Sequence, residues 1–276
     1  MITFESEFFN VRDTLTCGQV FRFNAFEDGS YTVKSKGEIA KLRVEGDTVQ
    51  VTSTNDEYFE NYFDLKKDYS ALLESVLSCN NEKVKKVAEK YRGIRILRQD
   101  GIEAFFSFLV SQNNNIPKIK STIEKLCVAL GEKRVFNGEE FYAFPTTEAF
   151  FKADLSVLKQ SGLGYRAEYV KEAAVKIRSG EIDFEKLNRL DTDTLKKELL
   201  KIKGVGDKVA NCVTLFGFGR SDSFPVDTWI EKIYREDFDG KLTDRAKISR
   251  YFLDTFKENS GYVQQYLFYA KREKFI

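Results

Sequence analysis

The spacing of apolar residues changes period near Asn55, and that change limits the chain to a small set of folds. Before it, apolar and polar residues alternate. Gln19–Phe26 sets Phe21 and Phe23 against Val20, Arg22 and Asn24. Tyr31–Val33 follows an Asp28–Gly29 turn, and Lys41–Val44 and Thr48–Val51 flank Glu45, Gly46 and Asp47, the composition of a hairpin turn. Such alternation predicts an antiparallel sheet with one wet face. After it, Tyr69, Leu72, Leu73, Val76 and Leu77 recur at helical spacing. Ile102, Phe105, Phe106 and Leu109 make a second stripe. Ile119, Ile123, Leu126, Cys127 and Leu130 make a third, with Pro117 suited to a first helical turn. Further helices are expected over 165–179, 191–202, 207–216, 227–235, 242–256 and 263–271. The pattern predicts an α+β fold, an N-terminal antiparallel sheet joined to a helical body.

At about 150 residues per domain, 276 residues allow roughly two domains. No histidine is present. That removes the Ser-His-Asp triad, the Cys-His pair and histidine-ligated zinc. Acid–base or nucleophilic chemistry falls to Lys, Asp, Glu, Tyr, Cys or Ser. The 44 basic and 43 acidic residues leave a net charge of +1, so any nucleic-acid binding must come from local charge or backbone dipoles. Cys17, Cys79, Cys127 and Cys212 are widely spaced, which predicts free thiols in a reducing cytoplasm rather than a metal cluster. The run MITFESEFFN lacks the apolar stretch of a signal peptide, and no apolar run approaches a membrane span.

The segment from Leu199 to Ala210, LLKIKGVGDKVA, carries the most specific signal. A helix should end near Ile202, turn through Gly204, Val205 and Gly206, and restart at Asp207. The glycines let the backbone approach a ligand and leave free N–H groups at the second helix, an anion site. A plain helical corner with a glycine cap would look the same. The sequel weighs toward the anion site. Lys208 lies just inside the second helix, and Asp227 follows in Phe224-Pro225-Val226-Asp227, placed as a helix N-cap. A neutral amine can attack a sugar C1′, and a carboxylate can stabilise the cationic sugar left as a base departs.

This run resembles the hairpin and Pro-Val-Asp of the helix-hairpin-helix–GPD superfamily of DNA glycosylases, with Lys203 where proline is usual. Within it the chain is most similar to the 8-oxoguanine DNA glycosylases. Cys17–Arg22 resembles a GQxFRW stretch with Phe23 in place of Trp. The block from Gly93 to Asn115, the LGYRA motif at Leu163–Ala167 and the GYVQQYLF helix at Gly261–Phe268 also resemble that family. The resemblance implies a TATA-binding-protein-like sheet over 1–97 packed on a helical hairpin body over 98–276.

It further implies that Lys208 is the nucleophile and Asp227 the ionised partner of the sugar cation. An amine nucleophile passes through an imine, so strand cleavage should accompany base removal. Gly18 would offer its carbonyl to the N7 proton of 8-oxoguanine, where guanine has a repelling lone pair. Phe268 and Cys212 would sandwich the flipped base and Gln264 would meet its Watson–Crick edge. Asn113, Tyr165 and Arg166 would fill the gap and contact the estranged cytosine. Lys118 stands where the family commonly has Arg, and Trp229 where it often has His. Gly204, Val205 and Gly206 would hold phosphate. A structural cation on the carbonyls of Leu200, Ile202 and Val205 is common in the superfamily. No cofactor is needed for the reaction, and the cysteine spacing excludes an iron–sulfur cluster.

The implied partner is double-stranded DNA containing 8-oxoguanine, bound by a monomer in the cytoplasm or at a nucleoid, without a membrane. Seven basic residues between Lys83 and Arg98, against one acidic residue, are either a solvated helix face or a guide for DNA. Two other functions share these features: removal of other damaged bases on the same fold, and a non-catalytic hairpin that only holds DNA.

Overall fold

The computed structural model describes residues 1–276. Five strands form an antiparallel sheet: β1 (Ile2–Glu5), β2 (Phe23–Ala25), β3 (Tyr31–Ser35), β4 (Glu38–Glu45) and β5 (Thr48–Ser53), in the order β1-β5-β4-β3-β2. Pairing of Glu45 with Thr48 leaves Gly46 and Asp47 as the expected tight turn. Leu42 lies opposite Val51, Val33 opposite Ala40 and Ile2 opposite Val51. These residues share the buried face, while Arg43 and Gln50 pair on the other. The helix Asp56–Tyr62, capped by the Asn55 side chain, brings Phe59, Tyr62 and the following Phe63 to this core. At about 1.5–3 kcal/mol for each fully buried Val, Leu or Phe, the cluster is what holds the sheet to its helix.

The expected strand over Gln19–Phe26 is only three residues long, at Phe23–Ala25. Upstream of it, side chains rather than a ladder take up the backbone. Gln19 donates to the carbonyls of Thr14 at 3.0 Å and Arg95 at 2.7 Å and accepts from Leu97 N at 2.8 Å. Arg22 is 1% exposed and lies 3.6 Å from Glu103, tying this segment to the helical body. Alternation alone cannot distinguish such a buried loop from a strand. Several elements lie outside the expected set, including the helices Val11–Thr16, Asp56–Tyr62 and Thr147–Lys152 and two β features. One is the edge strand β1. The other is the hairpin of β6 (Lys133–Phe136) and β7 (Glu139–Tyr142), turned by Asn137 and Gly138, both at positive φ.

The helical body surrounds Gly101–Val110, whose residues from Glu103 to Val110 are all buried. Ile116–Leu130, Arg166–Arg178 and the run from Asp207 pack on it. The expected helix over 207–216 is α-helical for Asp207–Cys212 and widens to a π turn over Val213–Gly217. Gly217 permits close contact there: a Cβ on it would lie 3.2 Å from that of Ala104. Asp244 caps the helix expected from 242, which starts at Arg245. Tyr69 to Ile96 and even Cys17 and Phe21 join this larger core of 56 buried residues. No helix is long and apolar enough to cross a membrane.

Candidate active site

The helix Thr192–Leu200 and the short helix Asp207–Cys212 are joined by the glycine turn. Gly204 adopts φ +85°, and a Cβ there would sit 2.5 Å from the Tyr169 ring, so glycine is required twice over. Ile202 and Val205 are buried, which anchors the turn. The N–H of Val205 is spent on the Ile202 carbonyl at 2.9 Å. Gly206 is the N-cap of the second helix and supplies no side chain, so the first N–H groups stay uncapped beside the cleft. The carbonyls of Leu200 and Val205 accept no hydrogen bond, while that of Ile202 accepts from Val205. Oxygen donors of this kind fit a hard cation.

Lys208 lies in the first turn of that second helix. Its ammonium is 3.3 Å from Ser111 Oγ and 5.3 Å from the centre of the Phe108 ring. Asp227 reaches the same place from another direction. Ser223 Oγ donates to the Asn211 carbonyl at 3.0 Å, pinning the approaching segment onto the lysine helix. Ser249 Oγ donates to the Phe224 carbonyl at 2.8 Å from the other side. Asp227 then caps Thr228–Asp237, as expected, with Oδ1 accepting from Trp229 N and Ile230 N at 3.0 Å each. Burial pushes its carboxyl above the ordinary 3.8, opposed by the Ile230 N–H and by the Lys208 ammonium.

Lys208 and Asp227 open onto one cleft of about 790 Å³, together with Gly18, Asn113, Gly206 and Phe268. Gly18 has φ +86°, and a Cβ on it would lie 3.1 Å from Phe268. Its carbonyl accepts no hydrogen bond from the protein. Cys212 lies one helical turn beyond Lys208, buried beside its ammonium; burial raises its thiol above the ordinary 9.0. Cys212 does not line the open cleft, and neither does Gln264, which is buried on the C-terminal helix Ser260–Arg272 and accepts from Gln265 Nε2 at 2.7 Å.

At the rim, Asn113 holds φ +44° and its Nδ2 lies 3.4 Å from the half-exposed Tyr165 hydroxyl. The Arg166 guanidinium is buried and donates to the carbonyls of Gln112, Asn113 and Leu163. In this structure it therefore braces the asparagine loop. Lys118 is exposed in the first turn of Ile116–Leu130, its N–H donated to Asn115 Oδ1.

Ser111, Trp229, Arg245 and Arg272 also line the cleft and were not singled out as partners of the site, except Trp229 as a departure. Arg272, one helical turn after Phe268, had a spacing signal; Ser111 stood only as part of a longer block. Four of the seven residues of the basic run are engaged within the protein. Lys83 pairs with Asp237, Lys85 with Glu82 and Arg98 with Asp64, while Arg95 is buried on the carbonyls of Phe8 and Asp64. Lys90 and Arg92 border a separate hollow shared with Glu7, Asp13 and Glu89.

Residues 1–105 match the family of 8-oxoguanine DNA glycosylase N-terminal domains, and residues 106–257 match the HhH-GPD superfamily of base excision DNA repair proteins. A probable N-glycosylase/DNA lyase of Methanothermobacter thermautotrophicus is 30% identical over 264 residues, covering 87% of this chain and 82% of that protein. The Clostridium acetobutylicum 8-oxoguanine glycosylase/lyase, solved with double-stranded DNA containing cytosine opposite 8-oxoguanine, superposes with a TM-score of 0.93. It is 32% identical and covers 100% of this chain and 99% of its own. MBOgg1, solved with a low-affinity DNA ligand, gives a TM-score of 0.92 at 39% identity, over 97% of this chain and 93% of its own.

Proposed function

This chain belongs to the HhH-GPD superfamily of base excision DNA repair proteins and carries the N-terminal domain of its 8-oxoguanine glycosylases, and on that premise we propose that it flips 8-oxoguanine out of duplex DNA, excises it through an imine on Lys208 and nicks the strand by β-elimination. The observation that carries this reading is the convergence of Lys208 and Asp227, from two separate helix starts, on one cleft walled by Gly18 and Phe268.

The chemistry follows from those groups. Neutral Lys208 Nζ attacks C1′ of the sugar. The bond from C1′ to the base breaks, and its electron pair leaves with the base, which is then protonated. The Asp227 carboxylate faces the positive charge that develops on the sugar. As the C1′–O4′ bond opens, one nitrogen proton passes to O4′, which becomes a hydroxyl, the other is given up to the departed base, and an imine forms. The imine draws electrons from C2′, so a proton is removed there. The freed pair makes a C2′–C3′ double bond, the C3′–O3′ bond breaks, and the phosphate departs. Water hydrolyses the imine and returns the lysine.

Recognition falls to the walls. The unpaired Gly18 carbonyl accepts the N7 proton of the lesion and repels the N7 lone pair of guanine. Phe268 takes one face of the base; Cys212 and Gln264, buried behind the open cleft, meet it once its entry parts that wall. Gln264, whose carbonyl is held by Gln265, keeps its amide nitrogen for the Watson–Crick edge. Asn113, Tyr165 and Lys118 meet the opposite strand, with Arg166 buried beneath them and bracing the asparagine loop. Lys118 offers a point charge where a guanidinium would offer a fork, so cytosine is selected less sharply than with Arg. Gly204, Val205 and Gly206 approach a phosphate. A cation on the carbonyls of Leu200, Ile202 and Val205 would supply charge neutralisation there and no bond-making.

The test is borohydride trapping on a duplex carrying 8-oxoguanine. Wild type is expected to become covalently attached and to nick the strand; Lys208→Gln is expected to do neither while still binding the duplex. Undiminished trapping in Lys208→Gln overturns the assignment. Base release without trapping would indicate a lysine-independent glycosylase, and binding alone a hairpin that only holds DNA.

A further inference from the structure

Discrimination by one carbonyl demands that the carbonyl be held still, because it works through a repulsion that steepens over tenths of an ångström. Gly18 sits in a left-handed turn between a short N-terminal helix, Val11–Thr16, and the strand β2. Downstream, the turn is pinned by Gln19, which bonds to Thr14, Arg95 and Leu97 within the N-terminal half. Upstream, Cys17 is held on its own helix, its N–H on the Asp13 carbonyl at 3.0 Å and its thiol on that of Thr14 at 3.2 Å, and a further contact, the one that ties the turn to the base-stacking helix, comes from the opposite end of the chain. Arg272 Nη1 donates to the Thr16 carbonyl at 2.8 Å. The same guanidinium lies over Phe268, 5.6 Å from the ring centre, and over Tyr269 at 6.0 Å. The position of a Cβ on Gly18 would be 3.6 Å from Arg272 Nη1.

We propose that Arg272 is a positioning residue for lesion recognition, latching the Gly18 turn onto the helix that carries Phe268. Phe268 and Arg272 are four residues apart and project from one face of that helix. One guanidinium thus sets the spacing between the edge reader and the stacking wall. A second leg runs beside it: the Tyr269 hydroxyl donates to Asp13 Oδ1 at 2.9 Å and lies 3.0 Å from Thr16 Oγ1. With the latch cut, the Gly18 carbonyl is free to turn away from the base, while the hairpin, Lys208 and Asp227 are held by other contacts.

The inference rests on the function proposed above, and its test separates the two. Single-turnover rates are measured on an 8-oxoguanine duplex and on a duplex with a preformed abasic site, which has no base to read but still needs the amine. Arg272→Ala is expected to slow 8-oxoguanine excision about tenfold or more beyond any effect on abasic-site cleavage, since a 1 Å misplacement costs up to about a hundredfold. Arg272→Lys, which keeps a positive donor on the same side of the helix, is expected to recover part of that loss. Tyr269→Phe removes only a hydroxyl and is expected to skew the two rates in the same direction, even where Arg272→Ala fails to fold. Equal losses on both substrates, or no loss, overturn the latch. A wild type that cleaves the abasic site but leaves 8-oxoguanine untouched overturns the proposed substrate instead.

Discussion

Asp227 is both a helix cap and a half-buried carboxylate beside an amine, and these two demands pull in opposite directions. Two backbone N–H groups stabilise its carboxylate, yet burial outweighs them and raises its proton affinity above the ordinary 3.8. A carboxyl raised in the folded state costs stability once it is ionised, and that cost disappears as pH falls through its raised value. Activity runs the other way, because the ionised form is the one that faces the sugar cation. Asp227→Asn keeps a good cap and removes the half-buried charge. It is therefore expected to leave Tm unchanged or higher while excision falls about 10²–10³-fold. The acid limb of the wild-type rate profile should lie above the ordinary aspartate value and be missing from the variant. Calorimetry and single-turnover rates against pH check both halves. The sequence places Asp227 as a cap, because a carboxylate before a helical stripe is a local signal. Its burial is not local, since it depends on Ser223 and Ser249 drawing a distant segment under the lysine helix.

The hairpin is the element where local chemistry decides most. Its two glycines look alike in sequence but differ in what they bear. Gly204→Ala would force a left-handed side chain and drive its Cβ into the Tyr169 ring. A loss of about 1–3 kcal/mol is expected from the backbone strain alone, with weaker DNA binding. Gly206 has an ordinary φ and open space around it, so Gly206→Ala is expected to stay within about 0.5 kcal/mol of wild type. Thermal melts of the two variants side by side test the distinction, and equal losses would refute it. Elsewhere, elements followed their sequence signal where one face was buried and failed where side chains took over the backbone. The helical stripes from Tyr69, Ile102 and Ile119 all form helices. The alternation from Gln19 shortens to Phe23–Ala25 because Gln19 is wired to three backbone groups of other elements. The hairpin around Asn137–Gly138 did carry a local signal, since that pair suits a turn with both residues at positive φ.

For the molecule as a whole, a net charge of +1 hides a local arrangement. Lys208 and Arg272 face the cleft, as does Arg245 with Glu231 paired to it at 3.0 Å, while most of the basic run from Lys83 is neutralised by its neighbours or buried. Counterion release counts phosphate contacts, not total charge, so Kd for lesion duplex should weaken about tenfold or more between about 50 and 200 mM salt. A flat titration would count against binding along this cleft. What the sequence determined by itself is what short range controls: the change of period that separates sheet from helices, the caps, and the glycine turn that sets Lys208 at a helix start. It also contained the motifs whose resemblance placed Asp227, Gly18 and Phe268 in one site. Only the tertiary structure decided that Gln264 lies buried behind the cleft, that Arg166 braces a loop, and that Arg272 joins the last helix to the turn after the first. The reason is physical. Period and capping are set within a few residues, whereas the partners of a guanidinium are carbonyls from segments more than 50 or 250 residues away, brought together only when the two cores pack.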